Sequence, residues 1–197
     1  MKKLSRLCLL TLLACVPAMA RAVTPHLLAG CNAEFGGTKL FTVVYTDGST
    51  QDVLAGQGLS AFGGLALEGL ADLNPLTIDL QATLGVKFST ISQASNADVS
   101  FFRFPAELLV MGHVGDLRFG AGPTYHFANS LTGSGALSAI NVNFDNALGL
   151  VTQVDYTFAK SWNLGVRYTS ISYQSPSSGI GKTDASNFGI EAGYFFF

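Results

Sequence analysis

The chain has 197 residues, one domain's worth, with a formal net charge of -2 and only 12% charged residues, against a usual share of about a quarter. That balance excludes a polyelectrolyte binder and a disordered tail, and with no Lys/Arg cluster of the kind that tracks phosphates, no nucleic-acid partner is expected. A hydrophobic share of 48% with 22 glycines suits a membrane protein, yet past the first twenty positions no uncharged apolar run reaches the ~18 residues of a helical span.

In chain order, the first element is an export signal over 1–20. Lys2, Lys3 and Arg6 precede an apolar stretch from Leu7, and Ala18-Met19-Ala20 places small residues where a signal peptidase reads them. Two lipobox-like tetrapeptides, "LLAC" ending at Cys15 and "LAGC" ending at Cys31, compete with this reading. The second lies beyond Arg21, Pro25 and His26, outside the apolar segment, so ordinary cleavage after Ala20 is preferred. Cys31 is then the only cysteine left, and no internal disulfide can form. Residues 21–37 read as an N-terminal periplasmic segment ahead of a barrel domain over 38–197.

From about residue 38 the apolar residues recur every second position, the strand period. "LTIDLQATLGVKF" puts Leu76, Ile78, Leu80, Ala82, Leu84, Val86 and Phe88 on one face, with Asp79, Gln81 and Lys87 on the other. The pattern repeats through "FRFPAELLVMGHV", "DLRFGAGPTYHF", "ALGLVTQVDYTF" and "WNLGVRY". In all of them the charges Arg103, Glu107, Arg118, Asp155 and Arg167 fall on the polar face, with His126 and Gln153. The opposite face tolerates no charge.

Turns agree with this pairing. Gly115-Asp116 suits a two-residue type II′ hairpin that sets Val114 against Leu117 and His113 against Arg118. Ala159-Lys160-Ser161 likewise sets Phe158 against Trp162 and Gln153 against Arg167. These links are tight, whereas "ISQASNADVS", "NSLTGSGALSAI" and "SPSSGIGKTDAS" are long and polar. Short turns at one end and long loops at the other are the habit of transmembrane β-barrels. Seven strands are expected at about 57–68, 76–89, 99–114, 117–128, 140–158, 162–175 and 185–197. For the last to run down to the periplasm an eighth must precede them, and 38–48, "TKLFTVVYTDG", is the candidate. The fold class is therefore all-β: a closed antiparallel eight-stranded transmembrane β-barrel, expected in the outer membrane of a Gram-negative cell.

These features resemble the small outer-membrane β-barrel proteins, the group that includes OmpX, OmpW and the membrane domain of OmpA. The carriers are the exported N-terminus, the alternating strands and a last strand ending "GYFFF". "RFPAELL" and "FDNALGLV" resemble barrels known only as outer-membrane β-barrel domains. The resemblance implies a fold and a location, with outer-membrane lipids and the barrel assembly machinery as partners and an extracellular partner of unknown identity.

Eight strands enclose a lumen that side chains can fill. The inward set comprises Asp79, Lys87, Arg103, Glu107, Arg118, His126, Gln153, Asp155, Arg167 and Glu191, with acids and bases in equal number. Buried charges are costly unless paired, so a charge-balanced plug is expected, giving a non-enzymatic barrel that supports the envelope or presents its outer loops. A narrow channel or lipid conduit is the alternative, and a lipid A-modifying enzyme the second. An enzyme needs a nucleophile, a base and an orienting group together, whereas His26, His113 and His126 are expected far apart. The His-x-Ser pair of the lipid A deacylases has no match in "RYTSISY". No metal-ligand spacing or phosphate loop occurs, so no cofactor is expected.

Outward aromatics should form two girdles: Tyr156, Phe158 and Trp162 near the periplasm, and Phe88, Phe102, Phe104, Tyr125, Phe127 and Phe144 near the outer surface. In the last strand Glu191, Gly193 and Phe195 should face inward. Tyr194 and Phe196 then face the lipid, and this outward pair is assigned the assembly signal.

Overall fold

A computed structural model describes residues 23–44, 47–94, 97–175 and 181–197. The export signal and Cys15 lie outside them. The strands are β1 (Thr24–Gly36), β2 (Lys39–Val44), β3 (Thr50–Leu54), β4 (Gly58–Asp72), β5 (Thr77–Ala94), β6 (Ala97–Val114), β7 (Leu117–Gly133), β8 (Asn141–Phe144), β9 (Ala147–Phe158), β10 (Trp162–Ser170), β11 (Ser172–Tyr173), β12 (Thr183–Asp184) and β13 (Asn187–Phe196).

Eight of these close a ring, because the sheet order β6-β5-β4-β1-β13-β10-β9-β7 returns through a β6–β7 pairing. Every wall pairing is antiparallel. The expected registers hold: Val114 faces Leu117, His113 faces Arg118, Phe158 faces Trp162 and Arg167 faces Gln153. Closure leaves no edge strand, and every wall strand keeps an apolar outer face.

The first wall strand corrects the sequence reading. It is β1, not 38–48: Leu27 to Gly36 pair with β13 and Thr24 to Glu34 pair with β4. Most of the stretch assigned as a periplasmic lead-in over 21–37, Thr24–Gly36, is thus the strand that closes the barrel. The 38–48 segment instead supplies β2, which among the described residues pairs only with β3, in a hairpin above the wall. High β-propensity identified a strand there but not its partner. Cys31 sits mid-strand between Ala61 and Ala192 and faces outward. Lipoprotein cleavage before it would cut away half of a strand bonded on both sides.

The strands are unequal in a useful way. β5 and β6 have 18 residues each and β7 has 17, well beyond the ~9–11 a tilted strand needs to cross a bilayer. Their upper ends stand above the wall at the long-loop end. There an apolar core gathers Ala55, Val99, Phe101, Leu131, Phe144, Ala147, Ile171, Tyr173 and Ala185, with Leu40, Phe41, Leu137, Ile140 and Val142 against it. Phe144 therefore leaves the outer girdle. The span 140–158 is two strands, and Phe144 on β8 stacks 5.5 Å from Phe101 and 5.9 Å from Tyr173. The remaining outward aromatics stay on the lipid face, Phe104 and Phe127 lying 5.8 Å apart and Trp162 and Tyr194 4.9 Å apart.

Inside, glycine makes room where strands and lumen side chains crowd. A Cβ on Gly122 would drive into the Leu108 carbonyl, and one on Gly120 into Met111. The "GAG" of β7 is therefore a packing device.

Candidate functional site

The polar faces of the eight wall strands converge on the barrel axis, and the side chains there form three connected layers. In the middle layer Arg167 on β10 donates from Nη2 to Glu107 Oε1 (2.5 Å) and from Nη1 to Glu191 Oε2 (2.9 Å), with Glu34 Oε1 3.8 Å from its Nε. Gln153 Nε2 bridges Glu191 Oε1 (2.6 Å) and Asp155 Oδ2 (2.8 Å). Asn32 completes the layer once its amide is assigned with the nitrogen toward Glu191 Oε2 and the oxygen toward Arg167 Nη1, each 2.9 Å away, the orientation that satisfies both. Arg167 suits this place because a planar guanidinium serves several carboxylates at once.

The upper layer joins wall to loops. Lys87 Nζ is ion-paired with Glu34 and donates to Gly56 O at 2.7 Å. Arg103 is fully buried yet pairs with no carboxylate among the described residues. Its Nη1 and Nη2 donate to Ala55 O (2.8 Å) and Gln57 O (2.7 Å), and its guanidinium stacks 4.1 Å over the Phe101 ring. His126 Nδ1 meets the Tyr173 hydroxyl at 2.6 Å. At the lower, short-turn end Asp79 accepts from the Gly69 amide (3.0 Å) and pairs with His113 Nδ1 (2.8 Å), with Arg118 Nη2 4.0 Å away.

All ten residues of the expected inward set line the lumen, nine of them buried and Glu107 partly so. The charge count shifts by one. Glu34, on the strand mistaken for a lead-in, is buried at 6% exposure, so five acids (Glu34, Asp79, Glu107, Asp155, Glu191) face four bases (Lys87, Arg103, Arg118, Arg167). Glu34 and Asn32 were legible: Leu27, Ala29, Cys31, Ala33 and Phe35 alternate with His26, Leu28, Gly30, Asn32 and Glu34. Small residues and the nearby stretch read as an export signal masked that period. Tyr173 continues the inward alternation of Arg167, Thr169 and Ile171, but its place on a separate short strand above the wall was not marked in the sequence. His26 does not precede the barrel but lies on β1, 3.4 Å from Glu68 and ring to ring with Phe197.

Free space in this interior is small. A cavity of about 10 Å³ is lined by Asn32, Glu34, Lys87, Glu107, His126 and Arg167 among others, room for about one water molecule. Above it the loops are stitched to one another: Thr38 N donates to Asp184 O (2.7 Å), Ser134 N to Asp98 O (2.8 Å) and Asp145 N to Gln174 O (2.8 Å). Among the described residues no cluster of three or more His, Cys, Asp or Glu could hold a metal.

Tyr173 lies above the wall, and its environment sets a pH limit. Burial pushes its hydroxyl up to about 12, with Arg103 beside it pulling the other way. The folded value exceeds the ~10 of a free tyrosine. Its contribution to stability is therefore complete below pH ~10 and is lost as the pH rises through about 12. In a spectrophotometric titration of the folded protein, one tyrosinate is expected at the alkaline extreme, absent from Tyr173→Phe.

A closed eight-stranded wall with a lipid-facing apolar surface and a polar interior defines an outer-membrane barrel of the smallest even-numbered size. The chain belongs to the family described as the outer membrane protein beta-barrel domain, whose model matches residues 7–196. It is an outer-membrane protein of a Gram-negative envelope. A search of curated proteins found no match. Among solved structures it is similar to Ail, the attachment invasion locus protein of Yersinia pestis, at 8% identity and a TM-score of 0.48, covering 87% of this chain and 97% of that one. Ail in complex with the heparin analogue sucrose octasulfate matches at 9% identity and a TM-score of 0.45, covering 88% and 99%.

Proposed function

We propose that the protein is a non-conducting, non-enzymatic scaffold that holds a preformed loop platform above the outer membrane. The observation that carries this is the stacking of two seals. An ion-paired lumen lies beneath an apolar core built from the loops themselves. The extended ends of β5, β6 and β7 give that platform a sheet framework, and burial of Phe101 and Tyr173 beneath it fixes the loops to the wall. A prepaid loop conformation lowers the ordering cost of binding.

The exposed charges at this end are Asp47, Asp52, Asp98, Asp145 and Asp184 against Lys39 and Lys182. Such a surface favours a cationic partner and would bind it less well in salt. We assign the assembly signal to the outward pair Tyr194 and Phe196, presented to the assembly machinery from the closing strand. Purified protein in planar bilayers is expected to give no stable unitary conductance steps. Reproducible steps from the folded, heat-modifiable species would overturn the sealed-scaffold reading in favour of a narrow channel.

A further inference from the structure

The lower mouth of the barrel holds a cation whose hydrogen bonding is incomplete. Arg118 on β7 is only 5% exposed, and its Nε and Nη2 have no hydrogen-bond partner among the described residues. Buried guanidinium N–H groups are normally satisfied, and leaving them unmade is costly. The neighbouring carboxylates do not supply the missing acceptors. Asp79 stands 4.0 Å off, its two oxygens engaged by Gly69 N and His113. Asp155, the register partner of Arg118, accepts from Gln153 at Oδ2, while its Oδ1 makes no hydrogen bond among the described residues. Phe195 covers one face of the guanidinium at 4.4 Å, which leaves the edge of the fork for an acceptor.

That side chain lines a cup of about 250 Å³ at the short-turn end, together with Glu68, His113, Asp116, Lys160 and Phe195. The cup's charges are mixed: Arg118 and Lys160 are cations, while Glu68 and Asp116 are carboxylates at its rim and Asp79 lies behind. Such a cup would repel a simple anion from one side and a simple cation from the other. A molecule carrying both charges on adjacent atoms meets neither penalty.

We propose that the cup is a binding site for a small periplasmic zwitterion of the α-amino-acid type. Its carboxylate takes the fork of Arg118 with help from Lys160, and its ammonium faces Glu68 and Asp116. The carboxylate matches the guanidinium edge, the geometry that makes Arg the preferred partner of planar oxyanions. No bond is made or broken. The cup lies at the opposite end from the loop platform and stands independently of the scaffold reading.

The test uses the full barrel in a maltoside detergent, with glycylglycine, free alanine, acetate and ethylamine as probes and amide NMR shifts as the readout. Saturable shifts at Gly115, Asp116 and Lys160 are expected with alanine or the dipeptide, and at least tenfold weaker ones with acetate or ethylamine. The alanine and dipeptide arms separate a free amino acid from a peptide end as the source. Lys160→Gln and Glu68→Gln, both on the rim, are expected to weaken binding without disturbing the rest of the spectrum. Arg118→Gln should abolish it, and if that variant does not fold, the two rim variants decide. Equal affinity for acetate and alanine, or no saturable shift with any probe, would overturn the proposal.

Discussion

Arg167→Met is expected to destabilise the barrel by about 3–5 kcal/mol, the usual cost of removing one partner from a buried ion pair. Three carboxylates, Glu34, Glu107 and Glu191, approach this one guanidinium within 3.8, 2.5 and 2.9 Å. Without it Glu107 and Glu191 lose their cation, while Glu34 keeps Lys87, in an interior with room for about one water molecule. The measurement is the urea midpoint for refolding into lipid vesicles, with heat-modifiability on gels reporting the folded fraction. Because the loss comes mainly from stranded carboxylates, neutralising two of them should recover much of it. Arg167→Met combined with Glu107→Gln and Glu191→Gln is expected to lie closer to the parent than Arg167→Met alone, a coupling that independent sites would not show. A loss below about 1 kcal/mol for Arg167→Met, the range of a solvated surface pair, would mean that water reaches this layer and the lumen is not sealed.

The upper seal fails differently. Phe101 is 1% exposed and packs against Phe144, Tyr173 and the Arg103 guanidinium. Its role is to tie loops to wall, whereas Arg167 ties wall strands to one another. The two layers meet at Glu34, which pairs with Lys87 above and approaches Arg167 below. A single carboxylate on β1 thus links the loop end of the plug to its middle. That β1 also forms the closing seam with β13 makes it the strand through which closure and plugging are coupled.

Which of these features the sequence carried follows from what alternation encodes. A period of two records which face a side chain takes, so the inward set from Asp79 to Glu191 was legible strand by strand. Two-residue and three-residue turns fixed the registers that put Arg167 opposite Gln153. Alternation does not record which strand closes the ring, because that depends on contacts between the two ends of the chain. β1 was passed over for 38–48, whose Val, Phe and Thr residues form a stronger local strand but among the described residues pair only with β3. Nor does periodicity reveal tertiary burial in loops. Phe144 and Tyr173 sit in short non-wall strands, and only the folding of three loops onto one another and onto the strand ends buries them. Arg103 shows the same limit: its face was evident, but its partners are carbonyls of the loop that precedes β4.

Changing Phe196 and Tyr194 together to Ala is expected to reduce assembled barrel in cells to a minor fraction, while refolding from urea into vesicles stays near normal. The distinction rests on what each aromatic of the "YFFF" end touches. Phe195 points inward at 4% exposure beneath Arg118, so Phe195→Ala should cost stability in both settings. Phe197 rests edge-on against His26 at 4.5 Å, a contact whose loss removes only a local aromatic pair. Phe196 is 52% exposed on the lipid face, and Tyr194 lies beside it at 4.9 Å. These two contribute little to interior packing and much to a surface that another protein could read before the ring closes. Both lie on the seam, opposite Leu27 and Ala29 of β1, so a factor holding them would hold β13 until β1 arrives. Membrane-fraction immunoblots with heat-modifiability separate assembled from unassembled protein. If deleting Phe197 alone blocked insertion while Phe196→Ala left it intact, the signal would be read one residue later than the outward face of β13 allows, and the assignment would be wrong.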